Sequence, residues 1–327
     1  MRTILFGIAL SVATGSAFAA CDELQQAPER VRQERITGSL AKAEAMAREA
    51  LACSEVSPGV ALELNIELAR TLRRAALHRN DRSAKDALAV LEAAASLVAE
   101  DDRRGRATLD LALSDYHSGA ELAQREFPQA SRLAERARTA FAELGDAVGL
   151  TDATHRLGMI AFQRRELDKA RTLIEESLTV SKRGPERPLF LGDYHRHLGF
   201  VLYVSEDLEG ALPHFQKSLE YRLKANSRDA SMFAYNMLGR ALIAADRPAE
   251  AREPLEQALE IARQLPSPAG ELRVTLNLGR LHEALQDRSS ALAAFTKARD
   301  LAQRLESESY AKTATEAIDR LTAEDRD

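Results

Sequence analysis

Residues 274–298 read VTLNLGRLHEALQDRSSALAAFTKA, and this stretch decides the fold. Its Leu278-Gly279 pair, Ala291, Phe295 and Ala298 recur in register through the second half of the chain. Leu157-Gly158, Leu198-Gly199 and Leu238-Gly239 precede it, at steps of 41, 40 and 40 residues. Twelve residues after each glycine stands an alanine: Ala170, Ala211, Ala251 and Ala291. Four further on comes a large apolar residue (Ile174, Phe215, Leu255, Phe295), and three beyond that a small one (Ser177, Ser218, Ala258, Ala298). Self-similarity at a fixed period is the mark of a repeat architecture, in which each unit buries its apolar face only by stacking on its neighbours.

The spacings are helical. Residues three and four apart share one helix face, so each unit reads as two apolar-faced helices. Turn residues separate the two helices: Arg165-Glu166-Leu167-Asp168, Ser205-Glu206-Asp207, Ala245-Asp246-Arg247-Pro248 and Gln286-Asp287-Arg288-Ser289. Arg183-Gly184-Pro185, Asn226-Ser227-Arg228-Asp229 and Pro266-Ser267-Pro268-Ala269-Gly270 separate the units. A glycine inside a helix costs about 1 kcal/mol against alanine. Its recurrence predicts a close helix–helix approach there, with the alanine and the small residue of the second helix as the matching half. Pro213 and Pro254 fall inside second helices, where a kink is expected.

This pattern resembles the tetratricopeptide repeat (TPR) in a longer variant, 40 residues against the usual 34. The common early tryptophan is absent; Thr154, His195, Tyr235 and Thr275 fill its slot. The resemblance implies an all-α fold, an α-solenoid of about seven antiparallel helix hairpins with a C-terminal capping helix. The expected organisation is a signal peptide over 1–19, diverged helical repeats over 20–146, four clear TPR-like repeats over 147–306, and the capping helix and tail over 307–327. In the diverged half, Ala43, Ala47 and Ala50, then Ala87, Leu91 and Ala94, then Ala130, Ala134 and Ala137 keep the second-helix pattern. Ser118 stands 40 residues before Gly158.

Composition limits the function classes. With 45 Lys+Arg against 50 Asp+Glu, the net charge is −5, which gives no general basic footprint for nucleic acid. Arg2, the apolar run Ile4 to Ala13, and Ala17-Phe18-Ala19 read as a signal peptide cleaved after Ala19. No later segment approaches the roughly 20 apolar residues of a membrane span. The expected location is exported, periplasmic or secreted. Cys21 and Cys53 are the two cysteines. In the hairpin arrangement they stand at neighbouring helix ends, which suits a disulfide in an oxidising space. The alternative is a lipid anchor on Cys21, since Phe18-Ala19-Ala20-Cys21 is similar to a lipobox.

Catalytic motifs are missing: there is no HExxH, GxSxG, phosphate-cradling glycine loop or CxxC. The chain is therefore expected to be no enzyme and to need no cofactor or metal. His195 and His197 lie two apart and face different ways on a helix, whereas Asp193 and His197, four apart, share a face; a solvated face is the expectation for both. The TPR resemblance places binding on the concave face lined by the first helix of each repeat. On this sequence that face carries His155, Phe162, Arg196, His197, Phe200, Tyr203, Asn236, Arg240, Asn277 and Arg280. Arginines beside aromatics suit another protein or an extended peptide with acidic groups, because guanidinium binds carboxylate bidentately. The leading expectation is a non-catalytic scaffold or adaptor in the cell envelope; the alternative is a periplasmic sensor that captures a short acidic peptide.

Overall fold

The computed structural model describes residues 21–37, 39–79, 83–123, 125–265 and 268–323; the expected signal peptide lies outside them. No described residue lies in a strand. The chain divides into two compact units, one ending at Leu109 and one beginning at Asp110. The first holds α1 (Ala27–Thr37), α2 (Leu40–Leu51), α3 (Pro58–Arg79) and α4 (Ser83–Ala94). The helix α5 (Arg103–Ala120) carries the division. The second holds α6 (Pro128–Glu143), α7 (Ala147–Gln163), α8 (Leu167–Ser181), α9 (Pro188–Val204), α10 (Leu208–Lys224), α11 (Arg228–Ala244), α12 (Pro248–Gln264), α13 (Pro268–Ala284), α14 (Arg288–Arg304) and α15 (Glu308–Ala323). Within the described residues these make the expected seven pairs and one final helix, the order of a TPR-like α-solenoid.

The four turns inside the clear pairs share one geometry. Arg165, Glu206, Asp246 and Gln286 all sit in the left-handed region, at φ 68°, 65°, 58° and 61°. The next N–H in each case reaches back five residues: Glu166 to Ala161 (2.9 Å), Asp207 to Leu202 (3.0 Å), Arg247 to Leu242 (2.9 Å) and Asp287 to His282 (2.9 Å). This capping pattern satisfies carbonyls that the ending helix leaves unpaired. Asp207 and Asp287 then cap the next helix by accepting from Gly210 (2.9 Å) and Ser290 (3.1 Å).

The glycine positions are close approaches, as expected, but the neighbour differs from the expectation. A Cβ on Gly239 would lie 2.5 Å from Leu255 Cγ, and one on Gly279 would lie 2.6 Å from Phe295 Cδ1. The large apolar residue of the second helix fills the notch, and the repeated alanine contributes only its carbonyl, as Ala211 does, whose oxygen would lie 3.3 Å from a Cβ on Gly199. The small residue serves another contact: Ser218 Oγ donates to Gly192 O at 2.7 Å. Helices α10 and α12 run unbroken through Pro213 and Pro254, so neither proline ends its helix.

Helix α15 closes the second unit. Ala314, Ala317 and Leu321 pack into the cluster around Phe295 and Leu301. Lys312, Glu316 and Asp319 face outward. Asp319 stands 40 residues after Gly279, so an exposed charge occupies the position that glycine holds in the repeats before it.

The first unit is fastened differently. Glu67 of α3 is 1% exposed and takes three arginines: Arg32 Nε (3.1 Å) and Arg35 Nη2 (2.9 Å) from α1, and Arg70 Nη1 (2.7 Å) from its own helix. Burial pushes its carboxyl up, but Arg70, Arg35 and Arg32 outweigh that and hold it at about 2. The backbone of Cys21 opens a 3₁₀ turn (Cys21–Gln26), and Cys53 follows the end of α2 with its Sγ 3.9 Å from Glu49 O. The Cys21 side chain lies outside the described residues, and with it the pairing of the two cysteines.

Candidate functional site

In the second unit, successive first helices meet through two repeating contacts. The residue three before the glycine slot of one helix reaches the residue two before the glycine of the next. Asp115 pairs with Arg156. Next, His155 Nε2 lies 2.9 Å from His197 Nδ1. At the last junction Asn277 Nδ2 donates to Asn236 Oδ1 at 2.9 Å. Such rungs exist because a buried polar group is stable only when partnered. The rung between α9 and α11 is different, since Met237 stands opposite Arg196. Arg196 turns instead to His197 Nε2 and to Asp193, 3.6 Å away.

The histidine rung has a definite protonation state. Burial pushes both His155 and His197 well below the ordinary histidine value, and the charges of Arg156 and Arg196 add to it. Both rings are neutral. A guanidinium only donates, so His197 Nε2 accepts from Arg196, His197 Nδ1–H donates to His155 Nε2, and His155 carries its proton on Nδ1. Below pH about 6.5 the unfolded chain takes up protons that the folded pair refuses. Stability is therefore fully present above that value and falls on acidification. Replacing the pair with asparagines, the chemistry of the Asn236–Asn277 rung, is expected to flatten the melting temperature between pH 7 and 5; an unchanged slope would remove the pair as its source.

The second contact joins the residue four after one glycine to the residue one after the next. Phe162 and Phe200 meet edge-to-face with ring centroids 5.6 Å apart. Arg240 lies over the Tyr203 ring at 5.0 Å, while Phe200 stacks against Tyr203 at 6.3 Å. Ile243 and Arg280 flank an open depression of about 300 Å³ with Tyr203, Arg240 and Ala244. Glu283 accepts three hydrogen bonds from Arg320 of α15, at 3.0, 2.7 and 2.9 Å.

The ten sequence-selected residues therefore fall into two groups. His155, His197 and Arg196 lie in a polar cluster between α7 and α9. Beside it, Arg187 donates to both Asp152 oxygens (2.9 and 2.6 Å), and Tyr194 donates to the same carboxylate. Phe162, Phe200, Tyr203, Arg240 and Arg280 form an open strip, with the Asn236–Asn277 rung beneath its arginine end. The expectation of a solvated face holds for Asp193, whose side chain stays 50% exposed while Arg222 and Arg196 reach it, and is corrected for His197, which contacts His155 and Arg196 between helices. Sequence reading missed His214, whose Nδ1 lies 3.0 Å from His195 Nδ1 across the α9–α10 hairpin. Burial, then the His214 charge, pushes His195 down to about 4. Among the described residues no three metal-ligating side chains converge, and no helix is long and apolar enough to cross a membrane.

The tetratricopeptide-repeat family profile matches residues 192–264, spanning α9 to α12. Similar solved structures include the apo form of RapI, at 15% identity and TM-score 0.61 over 92% of this chain and 86% of that one. BtubC (BKLC) from P. vanneervenii is 20% identical at TM-score 0.53, covering 75% of this chain and 92% of that one. The Rap conjugation gene regulator of plasmid pLS20, in complex with a Phr peptide, is 15% identical at TM-score 0.53, covering 93% and 96%. These likenesses establish the fold. A search of curated proteins returns no match.

Proposed function

We propose that this chain, whose residues 192–264 match the tetratricopeptide-repeat profile, is a non-catalytic scaffold that binds another protein or a peptide on the face formed by α7, α9, α11 and α13. The carrying observation is the open strip Phe162–Phe200–Tyr203–Arg240–Arg280. It offers aromatic surface, the usual source of interface energy, next to arginine, on rigid helices. The protein-binding habit of TPR-like folds supports this reading, and the similar pLS20 regulator holds a peptide. The apolar run Ile4 to Ala13 with Ala17-Phe18-Ala19 supports export to the cell envelope, where Cys21 and Cys53 would pair. A second reading, a sensor for a short acidic peptide, is favoured by Arg240 and Arg280 beside one depression at the end of the strip.

The test is site-specific photocrosslinking in cells, with the crosslinker at Phe162 or Ile243 on this face and at Leu259 on α12. A discrete adduct from the first two positions and none from Leu259 is expected. An adduct only from Leu259 would overturn the face assignment.

A further inference from the structure

We propose that His195 and His214 form a two-imidazole site for a divalent late transition-metal ion, copper(II) foremost, across the α9–α10 hairpin. The site joins the two helices of one hairpin and does not depend on the binding face proposed above. The two Nδ1 atoms stand 3.0 Å apart. Imidazole nitrogens at about 2.0–2.1 Å from one ion, at angles between square-planar and tetrahedral, lie about 2.9–3.4 Å from each other. The pair therefore already has the bite of a chelate. Both side chains are half-buried, which leaves a solvent side open to an ion. The His195 ring stacks on Tyr221 at 5.7 Å and on His214 at 5.2 Å. Turning both lone pairs onto one ion takes a rotation about the soft terminal torsion of a ring.

The repeat does not call for this pair. The equivalent positions of the other clear units hold Thr154 and Leu173, Tyr235 and Pro254, and Thr275 and Ala294. Both imidazoles are available as ligands at neutral pH, since a metal binds the neutral ring. Burial, then the His214 charge, holds His195 at about 4, and burial lowers His214 from the ordinary histidine value. Each neutral ring has one N–H, so one Nδ1 donates to the other. When an ion takes both Nδ1 atoms, the donor ring moves its proton to its own Nε2 through solvent. Two waters leave the ion, and no net proton is released. Glu175 of α8 acts on His214 and Glu220 on His195, but Arg171 and Lys217 offset them. Nitrogen coordination, and not a general negative field, carries the binding. That selects against magnesium and calcium, which take oxygen ligands, and favours copper(II), which leads the divalent series at nitrogen sites. Among the described residues no third ligand converges, so water completes the coordination.

The experiment is titration of the full chain with copper(II) sulfate at neutral pH, followed by calorimetry and electron paramagnetic resonance. Wild type is expected to bind one equivalent that His195→Tyr and His214→Leu both hold about tenfold or more weakly, since even outer-shell changes at metal sites cost that much. These variants carry the side chains of the equivalent Tyr235 and Leu173, and metal-free melting and circular dichroism check their folding. The milder His214→Gln should weaken binding likewise, and His282→Gln on α13 should leave it unchanged. Copper(II) should also raise the melting temperature of wild type and leave that of the His195 and His214 variants unchanged, because the ion binds the folded hairpin. Equal copper(II) binding by wild type and both variants, no binding by wild type, or an equal rise in melting temperature with magnesium(II) overturns the site.

Discussion

Glu67→Ala is expected to destabilise the first unit by about 3–5 kcal/mol, the range for removing one partner of a buried ionic cluster. The carboxylate is 1% exposed and holds α1 to α3 through Arg32 and Arg35, with Arg70 beside it. Without it, three guanidiniums face one another, and Arg35 is itself largely buried. The pH dependence agrees in size. A folded value of about 2 against an ordinary 4.5 corresponds to about 3 kcal/mol, present above pH 4.5 and lost as pH falls through 2. Urea titration of wild type and Glu67→Ala at pH 7 measures the difference, and amide exchange should place the loss in α1 and α3. A change under 1 kcal/mol would show that the cluster does not fasten these helices.

Phe295→Ala should cost about 3–5 kcal/mol in the second unit, as large-to-small core changes at fully buried aromatics do. Phe295 is 1% exposed and lies in the notch of Gly279. Gly279→Ala, tested alone, forces a methyl to within 2.6 Å of the ring and should cost about 1–3 kcal/mol by overpacking. The double variant is the informative one: with the ring gone, the added methyl fills part of the cavity, so the double should cost clearly less than the two single changes together. Additive costs in thermal or urea unfolding would mean that the notch and the ring do not recognise each other.

The second unit was legible because its packing reuses the same residues. Leu278-Gly279 and Phe295 have counterparts at nearly fixed spacing, and a repeated identity can be found by aligning a chain with itself. The glycine contact was assigned to the wrong partner because spacing gives the face of a helix and not the length of the side chain that crosses the gap. The inter-helix rungs escaped for a related reason. Asp115–Arg156, His155–His197 and Asn236–Asn277 occupy equivalent positions with unrelated residues, so no consensus exposes them. The Glu67 cluster was hidden because two of its three arginines, Arg32 and Arg35, lie 35 and 32 residues away, in a stretch where the repeat pattern is weakest. Within the candidate site, repeat position alone could not separate Arg196, which faces Asp193, from Arg240 and Arg280, which form no ion pair among the described residues.

The rungs also make the repeats non-interchangeable. Three of the junctions are locks cut to different keys: carboxylate with guanidinium, imidazole with imidazole, amide with amide. Moving the α7–α8 pair to stand before α13 would set His155 against Asn277 and leave Asn236 and His197 without their mates. Shuffled or duplicated arrays built from this chain would inherit such orphans at every new seam. An engineer extending it must transplant half-rungs in matched sets, and the same rule would have kept its repeats in a single order once these seams had formed.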